Sequence, residues 1–461
     1  MSTQSLKHAH KSLFPFYRAM RVVFLAALLS IADTSVTLAF TTVRDAETER
    51  LLRSIGNPIF EAAELNPKFV KLHIQATLTI NAFATEKQDI ILTTGILEEL
   101  PDVDMVAAVI AHETAHIAGK HPARTRNSYD KLSRPVLLTA LLGIGAAIAG
   151  APAAGGALFA AGTTIGQRSA LTYSREQEAA ADQAAVTFLD KAGQTPQGFA
   201  SLFTLLSKLD SAAASGKVNI YKRTHPLSRD RVLLLEDRIK NSPHVNKKPP
   251  TSIQHAYDMV RAKLSGYTNK PEVTYRRYPE KDQSSPALYA RTFAAYKESR
   301  IKKSLKAIEE LIAREPNNPW FYETKGQILF ENGHVQEALE PYQKAVDLQP
   351  DESLLEYALG QVMLATGDNT LVSPAIDYLE NSIHGEPDFT PAYFQLAMGY
   401  GRKGQIGQAE LATAERYIRE GDISAARHHA ISAQEKLSPG TPQWLRASDI
   451  LARTNTIRGK G

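Results

Sequence analysis

Pro101-Asp102-Val103-Asp104-Met105-Val106-Ala107-Ala108-Val109-Ile110-Ala111 runs directly into His112-Glu113-Thr114-Ala115-His116, and Gly119 follows. The apolar, alanine-rich run predicts a helix, with Pro101 and Asp102 as start signals and Gly119 near its stop. On a helix, His112 and His116 are four residues apart and share one face, so their imidazoles can hold one zinc ion. Glu113 is turned about 100° from His112 and lies beside the metal position rather than on it. A carboxylate there is placed to take a proton from a water activated by the metal. The bland alternative is a pair of histidines on an amphipathic helix with no joint role. The rest of the chain decides between the two.

A catalytic zinc site needs a third protein ligand and an open position. The extended histidine pattern of the metzincins would require a histidine at 122, where Pro122 stands; His121 comes one residue early and is read as facing away. Arg175-Glu176-Gln177-Glu178-Ala179-Ala180-Ala181-Asp182 opens a second predicted helix. Glu178 and Asp182 share a face at i and i+4, and the alanines between them allow close packing. One carboxylate can ligate the metal while the other orients a ligand histidine. Glu176 faces elsewhere. Thr224-His225-Pro226-Leu227-Ser228-Arg229-Asp230-Arg231 sets a histidine in a loop ahead of an apolar helix. His225 can stabilise an oxyanion or occupy the open metal position, or be a loop histidine with no role.

Around these segments the chain divides readily. Lys7, Lys11, Arg18 and Arg21 precede the apolar run Val22 to Ala32, and Thr37-Leu38-Ala39 follows. This is the pattern of a secretory signal peptide over residues 1–39. Residues 43–240 read as one domain and 241–284 as a linker with one helix around Ser252 to Leu264. Residues 285–455 are helical and repetitive. Pro316 and Pro350 are 34 residues apart, the tetratricopeptide period. Gly326, Ala338, Tyr342 and Ala345 fall at the small and aromatic positions between them, and further units of about this length follow. Such an array of about four units, after a degenerate first one at 285–316, forms an α-solenoid. In phase, its third and fourth units share the helix around 405–419.

Composition narrows the function classes. Of 461 residues, 53 are Lys or Arg and 49 are Asp or Glu, too even a balance for a nucleic-acid binder. Removing residues 1–39 takes four basic residues and one acidic residue, leaving a formal charge of +1. The absence of cysteine excludes disulfide scaffolds, thiol nucleophiles and cysteine-ligated zinc. No charged residue occurs between Arg134 and Arg168. Pro152 and its neighbouring glycines break that stretch into two arms, each short for a bilayer span. The expectation is a helical hairpin packed on the catalytic core or touching a membrane surface peripherally.

Taken in order, Val43-Arg44-Asp45-Ala46-Glu47, Asn81-Ala82-Phe83-Ala84, Thr94-Gly95-Ile96-Leu97, His112 to His116, Glu178 to Asp182 and His225-Pro226 resemble the HtpX/Oma/CAAX-prenyl-endopeptidase superfamily of zinc metallopeptidases. The resemblance covers residues 43–240. With a signal peptide before it and repeats after it, the chain is similar to a subgroup of the Gram-negative periplasm. It implies a mainly α chain: an α+β zincin-type domain with a small sheet and a helical core, then the tetratricopeptide solenoid. It implies one Zn2+ per chain on His112, His116 and Glu178, with Glu113 as general base and Asp182 holding a ligand histidine. His225 matches a histidine that can cap the zinc and keep the enzyme latent. Asn81, Ala82 and Phe83 match a strand that lines the cleft and can take an extended polypeptide substrate. Lys87-Gln88-Asp89 stands where the family has a glycine-rich turn.

Two readings of function follow. One is a periplasmic zinc endopeptidase whose repeats engage outer-membrane proteins or their assembly machinery. The alternative is a repeat-based periplasmic chaperone or adaptor with a latent peptidase. An integral-membrane peptidase is a third reading, which depends on the apolar stretch at 136–166.

Overall fold

The computed structural model describes residues 42–122, 175–211, 220–226 and 228–458. The expected signal peptide and the uncharged stretch between Arg134 and Arg168 lie outside the described residues. Among the described residues, no helix is long and apolar enough to cross a membrane.

The first part of the fold is a small sheet covered by helices. Strands β1 (Thr42–Val43), β2 (Lys71–Gln75), β3 (Ala82–Ala84) and β4 (Asp89–Thr93) form it in the order β1-β2-β4-β3. The β2–β4 pair is parallel and the other two pairs are antiparallel. Leu72 and Ile74 on β2 and Ile90 and Leu92 on β4 alternate into the core, as period-2 patterning requires. β3 pairs only with β4 among the described strands, so it forms an edge. The turn from β3 to β4 works without glycine. Gln88 takes φ 65°, and the Thr85 hydroxyl accepts from the Lys87 and Asp89 amides at 3.2 Å each.

Helix α1 (Ala46–Ala62) packs beside the sheet and is N-capped by Asp45, which accepts from the Thr48 amide at 2.8 Å. After the short α2 (Thr94–Glu99), α3 (Val103–Ala118) runs through the core and buries nearly every residue, including His112, Glu113 and His116. Asp102 occupies the N-cap, yet its side chain makes no capping bond. The Val103 amide instead donates to Gln254 Oε1 at 2.9 Å, which satisfies one of the four orphan donors of that helix end. Helices α4 (Arg175–Lys191), α5 (Gln197–Ser211), α6 (Tyr221–Thr224) and α7 (Arg229–Lys240) complete the domain.

Gln254 belongs to α8 (Thr251–Thr268), inside the stretch expected to be a linker. That stretch is packed rather than a plain spacer. Tyr257, Val260 and Leu264 join the core of the first domain, and the Tyr257 hydroxyl donates to the Leu97 and Leu100 carbonyls at 2.8 and 3.0 Å. Its beginning, with Lys247-Lys248 and Pro249-Pro250, and its end at 278–284 lack helix and strand. A second short helix, α9 (Pro271–Arg277), follows.

Five helix pairs then succeed one another: α10 (Ser285–Lys297) with α11 (Ile301–Arg314), α12 (Pro319–Glu331) with α13 (Val335–Leu348), α14 (Ser353–Ala365) with α15 (Val372–Gly385), α16 (Thr390–Arg402) with α17 (Ile406–Glu420), and α18 (Ile423–Lys436) with α19 (Pro442–Arg458). The pairing follows the local sequence. Gly326 on α12 lies under the Tyr342 ring of α13, where an added Cβ would be 2.7 Å from the ring. Pro316, Pro350 and Pro387 each sit two residues past a helix end, where proline cannot continue the helix. A 3-10 turn, Asn369–Leu371, absorbs the extra residues of the third pair. Helix α17 packs on both α16 and α18, which explains why its repeat phase is shared.

The pairs touch the first domain through polar contacts. The Tyr289 hydroxyl donates to Glu47 Oε2 at 3.0 Å. Buried Lys263 on α8 pairs with Asp45, with Glu47 at 3.2 Å and with Glu323 at 3.7 Å. Nearer the surface, Arg44 pairs with Glu386, and Lys71 Nζ lies 2.8 Å from Asp388 Oδ2.

Candidate metal centre

Three elements bring the predicted residues to one point. Helix α3 supplies His112, Glu113 and His116; α4 supplies Glu178 and Asp182; His225 follows the single turn α6. Helices α3 and α4 pack against each other, and Ala111 and Ala115 on α3 and Ala181 and Ala185 on α4 are all buried. Of the three alanines expected to permit this approach, Ala181 is buried, Ala179 is half-buried and Ala180 is exposed. Glu176 is exposed as well.

His112, His116, Glu178 and His225 each present a donor atom, all within 4.8 Å of one another and all buried. His112 Nε2 lies 3.0 Å from His116 Nε2 and 3.1 Å from His225 Nδ1. Glu178 Oε1 lies 3.0 Å from His225 Nδ1 and 3.3 Å from His116 Nε2. A tetrahedral zinc ion with bonds of about 2.0–2.1 Å separates its ligand atoms by about 3.3 Å. His112 Nδ1 is 3.1 Å from Asp182 Oδ1, so its ring proton points there and the Nε2 lone pair turns inward. Three imidazole nitrogens and a carboxylate converging in this way form a donor set that suits a divalent metal ion.

The electrostatics agree with that donor set. Burial alone pulls the His112 imidazole down, but hydrogen bonds with Asp182 and Glu178 override it and push it up to about 10. Burial pulls His116 down to about 3. Burial also opposes ionisation of Glu178, yet hydrogen bonds from His112, His116 and His225 hold its carboxyl far below the usual range. Asp182 is likewise held low, against burial, by His112 and Arg231. Without a metal, the proton on His112 and the Arg231 guanidinium balance these two carboxylates, and a metal ion bound at His112 Nε2 would displace that proton.

Glu113 sits beside the cluster rather than in it. Its carboxylate is fully buried with no side-chain hydrogen-bond donor. Burial raises its pKa, and the backbone N–H of Ala84 on β3 and the charge of His225 act against that rise. His225 Nε2 is 3.6 Å from Glu113 Oε1. Ala82 and Ala84 are buried, whereas Asn81 and Phe83 are half-buried.

Two residues escaped the sequence reading. Arg231 donates from Nε to Asp182 Oδ2 at 2.8 Å and from Nη2 to Asp182 Oδ1 at 2.9 Å. Its Nη1 also lies 2.8 Å from Glu178 Oε2 and donates to the Pro226 carbonyl at 2.7 Å. The available signal was its position six residues after His225, at the start of an apolar helix face. His121 is the other. It is buried, and its Nδ1 is 3.0 Å from His116 Nδ1, so it does not face away from the site. The Tyr221 ring packs against His225 in a tilted arrangement, with centroids 4.6 Å apart and planes 31° apart.

A histidine pair on one helix, a carboxylate from the next and a buried glutamate beside them define a metallopeptidase domain. Residues 46–239 match the model of Peptidase family M48. The beta-barrel assembly-enhancing protease of Escherichia coli strain K12 is 25% identical over 378 residues, 80% of this chain and 74% of that protein. Metalloprotease LoiP of the same strain is 26% identical over 212 residues, 45% of this chain and 75% of that protein. The mitochondrial metalloendopeptidase OMA1 of Schizosaccharomyces pombe is 28% identical over 176 residues, 36% of this chain and 46% of that protein.

Proposed function

We propose that the chain is a periplasmic zinc endopeptidase with a latch. His112, His116 and Glu178 are its permanent zinc ligands, Glu113 is its general base, and His225 is a removable fourth ligand. The observation that carries this reading is the convergence of those four donor atoms beside a buried, unligated Glu113. Zinc bound there supplies Lewis-acid activation of a water and of the scissile carbonyl.

The chain's own groups do the rest. Glu113 accepts the proton of the attacking water and returns it to the leaving amine. Burial raises its proton affinity, which suits a group that must both take and give a proton. Asp182 holds the His112 ring with Nε2 turned inward. An extended polypeptide adds to the edge strand β3 beside Asn81, Ala82 and Phe83, which sets its backbone alongside Glu113.

With His225 in place the donor set has four protein atoms, the closed form of a metal site. Departure of His225 opens the position a substrate needs. The closed set also favours a second reading, in which the chain acts mainly as a chaperone or adaptor and cleaves only when a client opens it. The relatives named for β-barrel assembly support outer-membrane proteins or their assembly machinery as partners of the helix pairs. Cleavage of casein by the chain purified without residues 1–39 tests the reading. Activity should vanish on chelation and return with Zn2+; activity that chelators leave intact would overturn it.

A further inference from the structure

We propose that His121 is the positioning residue of His116, held in place by a clasp made of Gly119, Lys120 and His121. The proposal rests on the reading of His116 as a metal ligand. Helix α3 ends at Ala118, and Gly119 has an ordinary helical φ of −74°. Its backbone therefore does not call for glycine. The space does: an added Cβ would lie 2.5 Å from His121 Nε2 and 2.9 Å from Cδ2 and Cε1 of the same ring. Lys120 has φ 55°, a left-handed conformation that non-glycine residues seldom adopt. This left-handed residue breaks the path of α3, and the His121 imidazole lies over Gly119, 5% exposed.

There the ring meets His116 edge to face, with centroids 5.0 Å apart at 74°. The two Nδ1 atoms are 3.0 Å apart. His116 presents Nε2 to His112 Nε2 at 3.0 Å and to Glu178 Oε1 at 3.3 Å. With that lone pair directed at a metal, the ring proton resides on Nδ1, and Nδ1–H donates to His121 Nδ1. His121 then carries its own proton on Nε2. A hydrogen bond of this kind fixes both the tautomer and the ring orientation of a ligand histidine. Asp182 does the same for His112, so the two ligands of α3 have different partners: a carboxylate for His112 and an imidazole for His116.

The test is Zn2+ affinity of the full chain, measured by competition with a chromophoric chelator, together with the visible spectrum of the Co2+-substituted protein. His121→Ala should weaken Zn2+ binding about 10- to 100-fold and alter the Co2+ spectrum. His121→Asn, whose Oδ1 takes the place of Nδ1, should recover most of the loss; His121→Gln should not. Gly119→Ala favours the helix but displaces the ring, so it should weaken Zn2+ binding to a similar degree. Combined with His121→Ala it should add little further, because both break one contact. If His121→Ala does not fold, the Asn and Gly119→Ala variants carry the test. Wild-type affinity and spectrum in His121→Ala, with His116→Ala still losing the metal, would overturn the role of His121 alone. Wild type without bound Zn2+, or His116→Ala with undiminished affinity, would overturn the metal-site reading beneath it.

Discussion

Arg231 grips Asp182 with two parallel hydrogen bonds, from Nε at 2.8 Å and Nη2 at 2.9 Å, while its Nη1 lies 2.8 Å from Glu178 Oε2. One buried guanidinium thus spans the proposed ligand carboxylate and the carboxylate that orients His112. Planar, bidentate geometry of this kind is beyond a lysine. Arg231→Lys should therefore keep the charge and still weaken Zn2+ binding by about 10- to 100-fold. Arg231→Ala leaves two buried carboxylates without their cation and should cost roughly 3–5 kcal/mol of stability. Chelator competition and denaturant melts of both variants check this; wild-type affinity in the lysine variant would contradict it.

His225→Ala should retain the metal on the three remaining ligands and raise basal casein cleavage. A latch favoured by about 1.4 kcal/mol keeps about nine molecules in ten closed, so its loss gives about a tenfold increase. Unchanged or lower cleavage by a variant that still binds metal would refute the latch.

The charged cluster at the junction predicts a pH dependence. Burial raises the Glu47 carboxyl to about 7, with Lys263 opposing and Asp45 reinforcing the rise. An unfolded glutamate titrates near about 4.3. Between these values the folded chain holds a proton that the unfolded chain has lost, so stability falls as pH rises from about 4.5 to 7. Burial raises Glu323 in the same direction. Asp45 is held low by Lys263 against burial, so its contribution is present above the ordinary aspartate range and is lost on acidification below it. Glu47→Gln should flatten the slope between pH 4.5 and 7 without abolishing it. Denaturant melts across that range read the slope, and an unchanged slope would assign the cluster another charge distribution.

Gly326→Ala tests the repeat packing. Alanine raises helix propensity by up to about 1 kcal/mol over glycine, but its Cβ would lie 2.7 Å from the Tyr342 ring. Overpacking costs about 1–3 kcal/mol, so the variant should be destabilised in a thermal melt. A gain in stability would show that the helix pair yields easily.

Much of this was legible in the sequence because it depends on local spacing. The i and i+4 pairs on α3 and α4 and the 34-residue proline interval are regularities of single helices, and the structure keeps them. What the sequence concealed depends on where distant segments meet. Gln254 caps α3 from 151 residues away, so a stretch with linker-like ends turned out to be packed against the peptidase core. Arg231 reads as one more charge on a surface helix until α7 lies against α4. His121 was misplaced for a more local reason. An uninterrupted helix past Gly119 turns His121 away, whereas the left-handed Lys120 breaks the helix and leaves the ring over Gly119. Gln88 makes a similar left-handed turn without a glycine.

The most direct test of the whole account pairs metal analysis with casein cleavage for wild type and Glu113→Gln. Glutamine preserves the shape of the buried side chain but cannot accept the proton. Both proteins should hold one zinc per chain, with cleavage by wild type, or by its His225→Ala form, and none by the Glu113→Gln counterpart. Equal cleavage with and without Glu113, or an absence of bound metal in wild type, would contradict it.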